Sequence, residues 1–360
     1  MDFMRNLLKD MIQREASDMF LREEATVHMR IYGVVKSIGP DILNQETIQK
    51  VTQYLLHNDE RRTRFKQRLD IDFAHWEKDV GRFRINIFTQ RGTPAIVIRH
   101  VPEQTKSFED LNLPADLLRI FCEESSGLVL ICGPAGSGKS TSIASMIDYI
   151  NNRREKHIVT IEDPIEYIFS DKKCIINQRE LGLDVHSYSL ALKHVTQQSP
   201  DIIYIGNIRD VDTMRATINA TELGTFAITT LHTINAVQTI TRIVNFFPPY
   251  LHDEVRMQLS VILKGVISLR LLPRFDIPGR IPAYETMVVT PTISRLIREG
   301  KVNEIQKFID DGELFGMQSF KHSLVQLVKR GIVSEEDARH VADSKDDFNL
   351  ELKGLRRYLK

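Results

Sequence analysis

A glycine-rich segment carries the clearest chemistry in this sequence. Residues 133–140 read Gly-Pro-Ala-Gly-Ser-Gly-Lys-Ser and match the pattern G-x-x-x-x-G-K-[ST] in full. In such a loop, backbone N–H groups cradle phosphate oxygens, the lysine adds positive charge, and the hydroxyl after it ligates Mg²⁺. The segment predicts a nucleoside triphosphate site, with Lys139 also a catalytic candidate and Ser140 a Mg²⁺ ligand. The residues predicted to bind the nucleotide are Gly133, Pro134, Ala135, Gly136, Ser137, Gly138, Lys139, Ser140 and Thr141.

The loop is predicted to join a buried strand to a helix. Residues 128–131 are apolar without alternation, which is typical of a strand that is buried on both faces, and apolar residues recur at helical spacing from 143 to 150. The free N–H groups and the positive dipole end of that helix would face the anion. We expect a Cβ at Gly136 or Gly138 to obstruct the approach of phosphate to the backbone.

Three carboxylates lie at or just after the end of the next predicted strand, residues 157–163. Glu162, Asp163 and Glu166 surround Pro164, which fixes a sharp exit from the strand. Carboxylates at this end of a parallel sheet can orient or deprotonate a water, or hold Mg²⁺ through its hydration shell. Glu162 and Glu166 are therefore catalytic candidates and Asp163 is a metal candidate. The alternative is a solvated acidic turn.

Two further predicted strands, residues 201–207 and 226–232, end in polar residues of a different kind. Asn207 occupies the position where a carboxylate would polarise water, and a neutral amide can hydrogen-bond but cannot accept a proton. His232 could contact the γ-phosphate or relay its loss. The alternative for His232 is a satisfied structural histidine.

Bulk composition limits the classes of protein to consider. The chain has 360 residues, 42% of them hydrophobic and 27% charged, which suits a globular protein of two or three domains. Lys plus Arg (48) equals Asp plus Glu (48), so no net charge attracts nucleic acid or lipid. No apolar run reaches the ~18 residues of a membrane span, and the charged start does not resemble a secretory signal. The three cysteines suggest a reducing compartment, so we expect a cytoplasmic location.

The pattern of elements predicts an α/β protein in four segments. Residues 1–100 suit a small α+β domain, with helices near 3–12 and 45–56 and paired strands at 82–90 and 95–101; alone, this domain could be a structural cap. Residues 101–114 are polar, contain two prolines and predict a linker. Residues 115–275 predict a parallel sheet with helices on both faces and a long helix over 252–272. Residues 276–360 predict a small helical tail.

With these motifs described, the chain resembles the secretion ATPases, in the PilT/PilU branch of type IV pilus retraction (twitching motility) ATPases. The resemblance covers nearly the whole length. Residues 133–140 match its Walker A motif, 160–166 its Asp box, 200–210 its Walker B region and 229–236 its His box. The segment TISRLIREG, residues 292–300, is similar to a retraction-type tail segment. The chain departs from the family at Asn207, where members carry Glu.

The resemblance implies a RecA-like P-loop ATPase core, a PAS-like amino-terminal domain, and a hexameric ring that hydrolyses ATP with Mg²⁺. It implies that Glu166 is the general base. It also implies that Arg84 and Arg99, at the family's spacing, reach the phosphates. If the family resemblance is left aside, the preferred interpretation is a pair of exposed arginines on strands. The resemblance also implies a paralogous pilus ATPase and an inner-membrane platform protein as partners. The protein would lie in the cytoplasm, peripheral to the inner membrane.

Three functional hypotheses follow. The first is a hexameric ATPase that drives or assists pilus retraction through ATP-dependent domain closure. The second, motivated by Asn207, is a nucleotide-binding regulatory subunit with little hydrolysis that acts with an active paralogue. The third, a nucleic-acid translocase, is disfavoured because net charge is zero and no basic, aromatic-rich stripe is present.

Overall fold

The computed structural model describes residues 2–102 and 104–354. The chain divides between Gln104 and Thr105 into two compact units. Among the described helices, none combines the length and apolar character that crossing a bilayer requires.

The first unit is an α+β domain built on one six-stranded antiparallel sheet, as predicted. Its strand order is β3-β2-β1-β6-β5-β4. The elements in chain order are α1 (Asp2–Gln13), β1 (Ala16–Arg22), β2 (Ala25–Ile31), β3 (Val34–Leu43), α2 (Gln45–Leu55), α3 (Asp59–Arg68), β4 (Asp70–Glu77), β5 (Gly81–Gln90) and β6 (Thr93–Val101).

Helices α1 and α2 form because their apolar residues recur on one face. Met4, Leu8 and Met11 of α1 are buried, as are Ile48 and Leu55 of α2, and all five join one core with the strands. Helix α3 was missed by sequence analysis because none of its residues is buried, so no apolar stripe marks it. Asn58 nevertheless caps α3 by accepting the Arg61 N–H.

The second unit contains a seven-stranded sheet in the order β13-β12-β7-β11-β10-β8-β9. All neighbouring pairs from β12 to β9 are parallel, and β13 alone is antiparallel. Its elements are α4 (Ala115–Glu123), β7 (Gly127–Cys132), α5 (Lys139–Arg153), β8 (His157–Glu162), β9 (Ile175–Glu180), α6 (Tyr188–Val195), β10 (Ile202–Ile205), α7 (Val211–Glu222), β11 (Phe226–Leu231), α8 (Ala236–Val244), α9 (His252–Ile262), β12 (Leu263–Pro273), β13 (Arg280–Val288), α10 (Pro291–Arg298), α11 (Ile305–Asp310), α12 (Phe320–Lys329), α13 (Glu335–Val341) and α14 (Lys345–Leu352).

The sheet separates two hydrophobic cores, because successive side chains of its buried strands point to opposite faces. Leu128 and Leu130 of β7 join one core, whereas Val129 and Ile131 join the other. The four strands predicted from apolar runs, β7, β8, β10 and β11, are all present. Phe108 and Leu113, which fall in the predicted linker, are buried in the second of these cores.

The predicted long helix over 252–272 is wrong. Helix α9 ends at Ile262, and the chain continues as strand β12. The apolar residues of this segment fit a helix and a strand buried on both faces equally well, so periodicity alone could not decide. Gly265 explains how the strand packs, because a Cβ at this position would collide with the ring of Phe121. A strand with its glycine against that ring packs without this collision.

The predicted helical tail also needs a correction. Residues 280–288 form strand β13, which pairs with β12 across the boundary proposed at residue 275. The segment becomes helical only from Pro291, where Thr290 caps α10 by accepting the Ile293 N–H. The subdivision of the second unit at residue 275 stays a prediction.

Candidate active site

The glycine-rich loop connects the buried strand β7 to helix α5, as predicted. All six residues of β7 are buried, and α5 begins at Lys139 directly after Gly138. No side chain caps α5 through a hydrogen bond. The first N–H groups of this helix are therefore available to an anion, and its positive dipole end adds to their attraction.

The Lys139 ammonium lies over the mouth of the loop. The side chain is buried, and Nζ donates hydrogen bonds to the carbonyl oxygens of Gly133 (2.7 Å) and Pro134 (2.8 Å). Desolvation lowers the pKa of Lys139, whereas the nearby Glu166 carboxylate acts to raise it. The Ser137 hydroxyl is buried beside it without a hydrogen-bond partner among the described residues. A phosphate group in the loop would give both side chains a stronger acceptor.

The loop glycines are required for two different reasons. Gly133 has φ +139°, and a Cβ there would collide with the Leu269 carbonyl oxygen and lie 2.5 Å from Ser137 Oγ. Gly136 and Gly138, which sequence analysis singled out, have φ +75° and +99°, but a Cβ at Gly136 would meet no atom within 4 Å. Backbone conformation requires glycine at those two positions, and close packing requires it at Gly133.

Replacing Gly133 with Ala is therefore expected to cost far more stability than replacing Gly136. Strained backbone and overpacking each cost about 1–3 kcal/mol, which would lower the thermal unfolding midpoint by roughly 5–15 °C. Gly136→Ala should cost only the positive-φ penalty of roughly 1–2 kcal/mol. Thermal unfolding of the two variants, measured side by side, tests the comparison. Equal midpoints would contradict it.

The carboxylates of the Asp box differ sharply in exposure. Glu162 is 4% exposed, and its carboxylate accepts hydrogen bonds from the Thr160 hydroxyl (2.7 Å), the Gln178 amide (3.2 Å) and the Glu166 backbone N–H (3.4 Å). Burial raises the pKa of Glu162 to about 7. The Glu166 side chain is exposed, so it is the accessible carboxylate of the pair. Glu162 therefore hydrogen-bonds to the backbone of the segment that carries Glu166.

Asn207 and His232 meet at the ends of strands β10 and β11. Asn207 Nδ2 lies 3.2 Å from His232 Nε2, and the buried Asn207 Oδ1 has no hydrogen-bond partner among the described residues. Desolvation, Lys139 and Arg209 all lower the pKa of His232. The imidazole is therefore neutral at pH 7 and accepts the amide proton through Nε2.

Two further residues of this sheet edge, Arg209 and Tyr188, were not among the predicted site residues. Arg209 Nη1 lies 3.6 Å from Asp163 Oδ2, and its charge also reaches His232. Tyr188, the first residue of α6, has a buried hydroxyl without a partner among the described residues, and its pKa is raised by burial and by Asp163. The sequence signal for Arg209 was available, because Arg209 lies within the Walker B region, residues 200–210, whereas Tyr188 lies outside every motif described above.

The donors near the loop suit Mg²⁺ bound mainly through a nucleotide. No group of three potential metal-ligating side chains occurs in residues 2–102 and 104–354. Ser140 lies in the first turn of α5 and is partly exposed, while Asp163 lies at the end of β8. Mg²⁺ keeps several waters and takes only one or two protein oxygens beside phosphates, so this sparse donor set fits. Ser140 and Asp163 remain the predicted ligands.

The two predicted arginines belong to the first unit and face each other across strands β5 and β6. Arg84 and Arg99 are register partners there. Arg84 Nε donates to Asp72 Oδ2 at 2.8 Å, and Arg99 Nε donates to Asp18 Oδ1 at 3.0 Å. Each guanidinium is therefore held by a carboxylate of its own unit.

Comparison with known proteins identifies relatives over nearly the whole chain. The family model described as Type II/IV secretion system protein matches residues 1–278. Type IV pilus ATPase PilU of Pseudomonas aeruginosa is 37% identical over 347 residues, which cover 96% of this chain and 90% of PilU. Pilus retraction ATPase PilT of the same organism is 38% identical over 342 residues, or 95% of this chain and 98% of PilT.

Solved structures identify the same group of relatives. The crystal structure of the pilus retraction motor PilT with bound ADP matches with a TM-score of 0.85 at 40% identity, and covers 95% of this chain and 98% of PilT. The Legionella pneumophila ATPase DotB matches with a TM-score of 0.84 at 23% identity, so it shares the fold. The predicted RecA-like α/β fold is confirmed. The chain belongs to the Type II/IV secretion system protein family and, within it, to the PilT/PilU-type pilus ATPases.

Proposed function

We propose that this chain hydrolyses ATP and, as a ring of six copies, drives or assists the retraction of a type IV pilus. One observation carries the proposal: the phosphate loop with Lys139 lies at the same edge of the parallel sheet as the Asp box, Asn207 and His232. Ligand sites of open parallel sheets form at this edge. The relatives named as pilus ATPases support the reaction and the machine.

The chain's own residues suggest a division of labour. The loop N–H groups and Lys139 bind the triphosphate, and Ser140 and Asp163 hold the metal. Bound Mg²⁺ would neutralise charge that develops on the transferred phosphoryl group. Glu166, exposed and near Lys139, orients and deprotonates the attacking water, while Glu162 holds the backbone of Glu166. His232, neutral at pH 7 and accepting the Asn207 amide through Nε2, keeps its Nδ1–H to donate to an oxygen of the γ-phosphate.

Arg84 and Arg99 are proposed to neutralise phosphate charge, as the family resemblance implies. Each is now paired with a carboxylate, Asp72 or Asp18. The guanidinium is planar and always charged, so it can exchange one oxyanion partner for another without a change in protonation. Exchange of the aspartate for a phosphate during the ATP cycle would let these residues sense the nucleotide.

The location and partners are proposed on the family resemblance. The chain would work in the cytoplasm, peripheral to the inner membrane, with an inner-membrane platform protein and a paralogous pilus ATPase. The alternative of a regulatory subunit without hydrolysis is less favoured, since the relatives that match over nearly the whole chain are named as ATPases. Asn207 then tunes the rate of turnover.

Steady-state phosphate release by the purified oligomer with Mg²⁺-ATP tests the proposal. Lys139→Ala is expected to weaken nucleotide binding by about 10–100-fold, because a charged hydrogen bond contributes roughly 1.5–3 kcal/mol. Lys172→Ala is the matched control. Lys172 forms an ion pair with Asp148 of helix α5, the helix that begins at Lys139, but this pair lies outside the phosphate loop. Hydrolysis and binding that survive Lys139→Ala unchanged would refute the proposed site.

A further inference from the structure

Strand β13 carries a buried carboxylate that the mechanism above does not use. Glu285 is 3% exposed, and its Oε1 accepts a 2.9 Å hydrogen bond from the backbone N–H of Ala236, the first residue of α8. Glu285 therefore joins strand β13 to the start of α8, 49 residues earlier in the chain.

Helix α8 starts directly after the turn that contains His232. Strand β11 ends at Leu231, and only residues 232–235 separate it from α8. Leu231 is fixed opposite Cys132 in the sheet, and Asn235 caps the helix by accepting the Gln238 N–H at 2.8 Å. A turn this short has little freedom of its own. The position of His232 is therefore set by the strand on one side and by the start of α8 on the other.

The same helix contacts the base of the phosphate loop. Thr239 Oγ1 of α8 lies 3.3 Å from Cys132 Sγ, and Cys132 directly precedes Gly133. Thr239 Oγ1 also lies 2.6 Å from Thr233 Oγ1 in the turn itself. A shift of the first turn of α8 would therefore move the His232 turn against the loop.

Burial makes the Glu285 carboxylate costly to ionise, yet removal of this side chain would leave a backbone donor without a partner. Burial raises the pKa of Glu285 to about 7; Asp343 adds to this, and Arg270 and the hydrogen bonds oppose it. Replacing both partners of a buried ion pair with well-packed apolar groups is often neutral or stabilising, but removing one partner leaves the other unsatisfied. An apolar side chain at 285 would leave the Ala236 N–H unpaired, and a shift of the helix start could relieve that penalty.

We propose that Glu285 is a positioning residue for the ATPase site, which anchors the start of α8 and thereby fixes the His232 turn relative to the phosphate loop. The proposal rests on the role of His232 in ATP hydrolysis given above. It predicts a larger effect on turnover than on nucleotide binding, because Lys139 is held by the Gly133 and Pro134 carbonyl oxygens and α8 contacts the loop only at its base.

A double-mutant cycle of Glu285→Leu and His232→Ala tests the proposal in the full-length oligomer. Glu285→Leu is expected to lower kcat by about tenfold or more, since small misplacements of catalytic groups cost up to ~10²-fold, with KM for ATP within roughly threefold of the wild type. In the His232→Ala background the same substitution should change kcat little. Glu285→Gln keeps an acceptor and should restore kcat. Ser268→Ala is the matched control, because Ser268 faces Glu285 in register on β12 and its hydroxyl has no described partner.

Each outcome decides one point. Absence of hydrolysis by the wild type defeats the proposed function, and full activity of His232→Ala defeats the role of His232 and the Glu285 proposal with it. If His232→Ala lowers kcat but folded Glu285→Leu does not, the Glu285 proposal alone is overturned. An equal loss of kcat in the wild-type and His232→Ala backgrounds also overturns it. A change in KM for ATP without a change in kcat overturns it too. If Glu285→Leu does not fold, Glu285→Met replaces it in the cycle, because its flexible side chain adapts to the same space.

Discussion

Replacing Glu166 with Gln is expected to lower kcat for ATP hydrolysis by about 10²–10⁴-fold, the usual contribution of a positioned general base. The side chain of Glu166 is exposed at the carboxyl end of β8, and its charge reaches the Lys139 ammonium. Glutamine keeps the size and hydrogen-bonding capacity but cannot take a proton from water. Single-turnover hydrolysis together with nucleotide affinity measures the effect, and affinity should stay close to that of the wild type.

Glu162→Gln is the matched control, and the direction of its pH dependence follows from burial. Because burial raises the pKa of Glu162 to about 7, the carboxyl group is mostly protonated below pH 7 and mostly ionised above it. All three of its hydrogen-bonding neighbours donate, which suits the ionised form. We expect kcat/KM of the wild type, which reports the free enzyme, to fall as pH drops from about 8 to 6. Glu162→Gln should lack this fall and match the wild type best at pH 6.

The pair of variants separates the two roles. A Glu162→Gln variant that loses as much activity as Glu166→Gln at pH 6 would contradict the assignment of Glu162 as the holding residue. Full activity of Glu166→Gln would remove Glu166 as the base. A pH profile shared by the wild type and Glu162→Gln would assign the titration to another group.

The local part of the site could be predicted from sequence, because its geometry is encoded in short segments. The order of strand, glycine loop and helix at residues 127–153 follows from one buried apolar run and one motif. The carboxyl-end placement of Glu162 and His232 follows because parallel strands end at one edge. The sequence could not predict which loop glycine is closely packed. The collision that a Cβ at Gly133 would cause involves Leu269, which lies on a strand far along the chain.

The errors have separate physical causes. Strand β12 lies between β7 and β13, so residues 265–269 are all buried in succession and imitate one side of a helix. Strand β13 and its Glu285 were missed because the backbone partner of that carboxylate, Ala236, is 49 residues away. Long-range pairing of this kind leaves no periodic signal in the sequence. The exposed helix α3 is the opposite case, since it has no apolar stripe at all.

Replacing Asn207 with Glu is expected to raise kcat by about ten- to a hundredfold, because a positioned proton acceptor contributes to turnover. Asn207 Oδ1 is buried without a described partner, and Nδ2 lies 3.2 Å from His232 Nε2, so a carboxylate at this position would lie beside the imidazole. A carboxylate there would polarise water and attract the hydrated metal, which an amide does weakly. It would also accept a hydrogen bond from His232 Nε2–H and so stabilise the other imidazole tautomer. Phosphate release at saturating Mg²⁺-ATP measures the change.

Asn207→Gln is the control that isolates charge from length, because glutamine has the shape of glutamate and remains neutral. We expect it to leave kcat at or below the wild-type value. Both substitutions add one methylene beside a buried amide, so any common loss reports packing rather than chemistry. If Asn207→Glu gains nothing over Asn207→Gln, the missing carboxylate does not limit turnover. The rate would then be set by Glu166 and by the placement of the His232 turn, which the Glu285 variants measure independently.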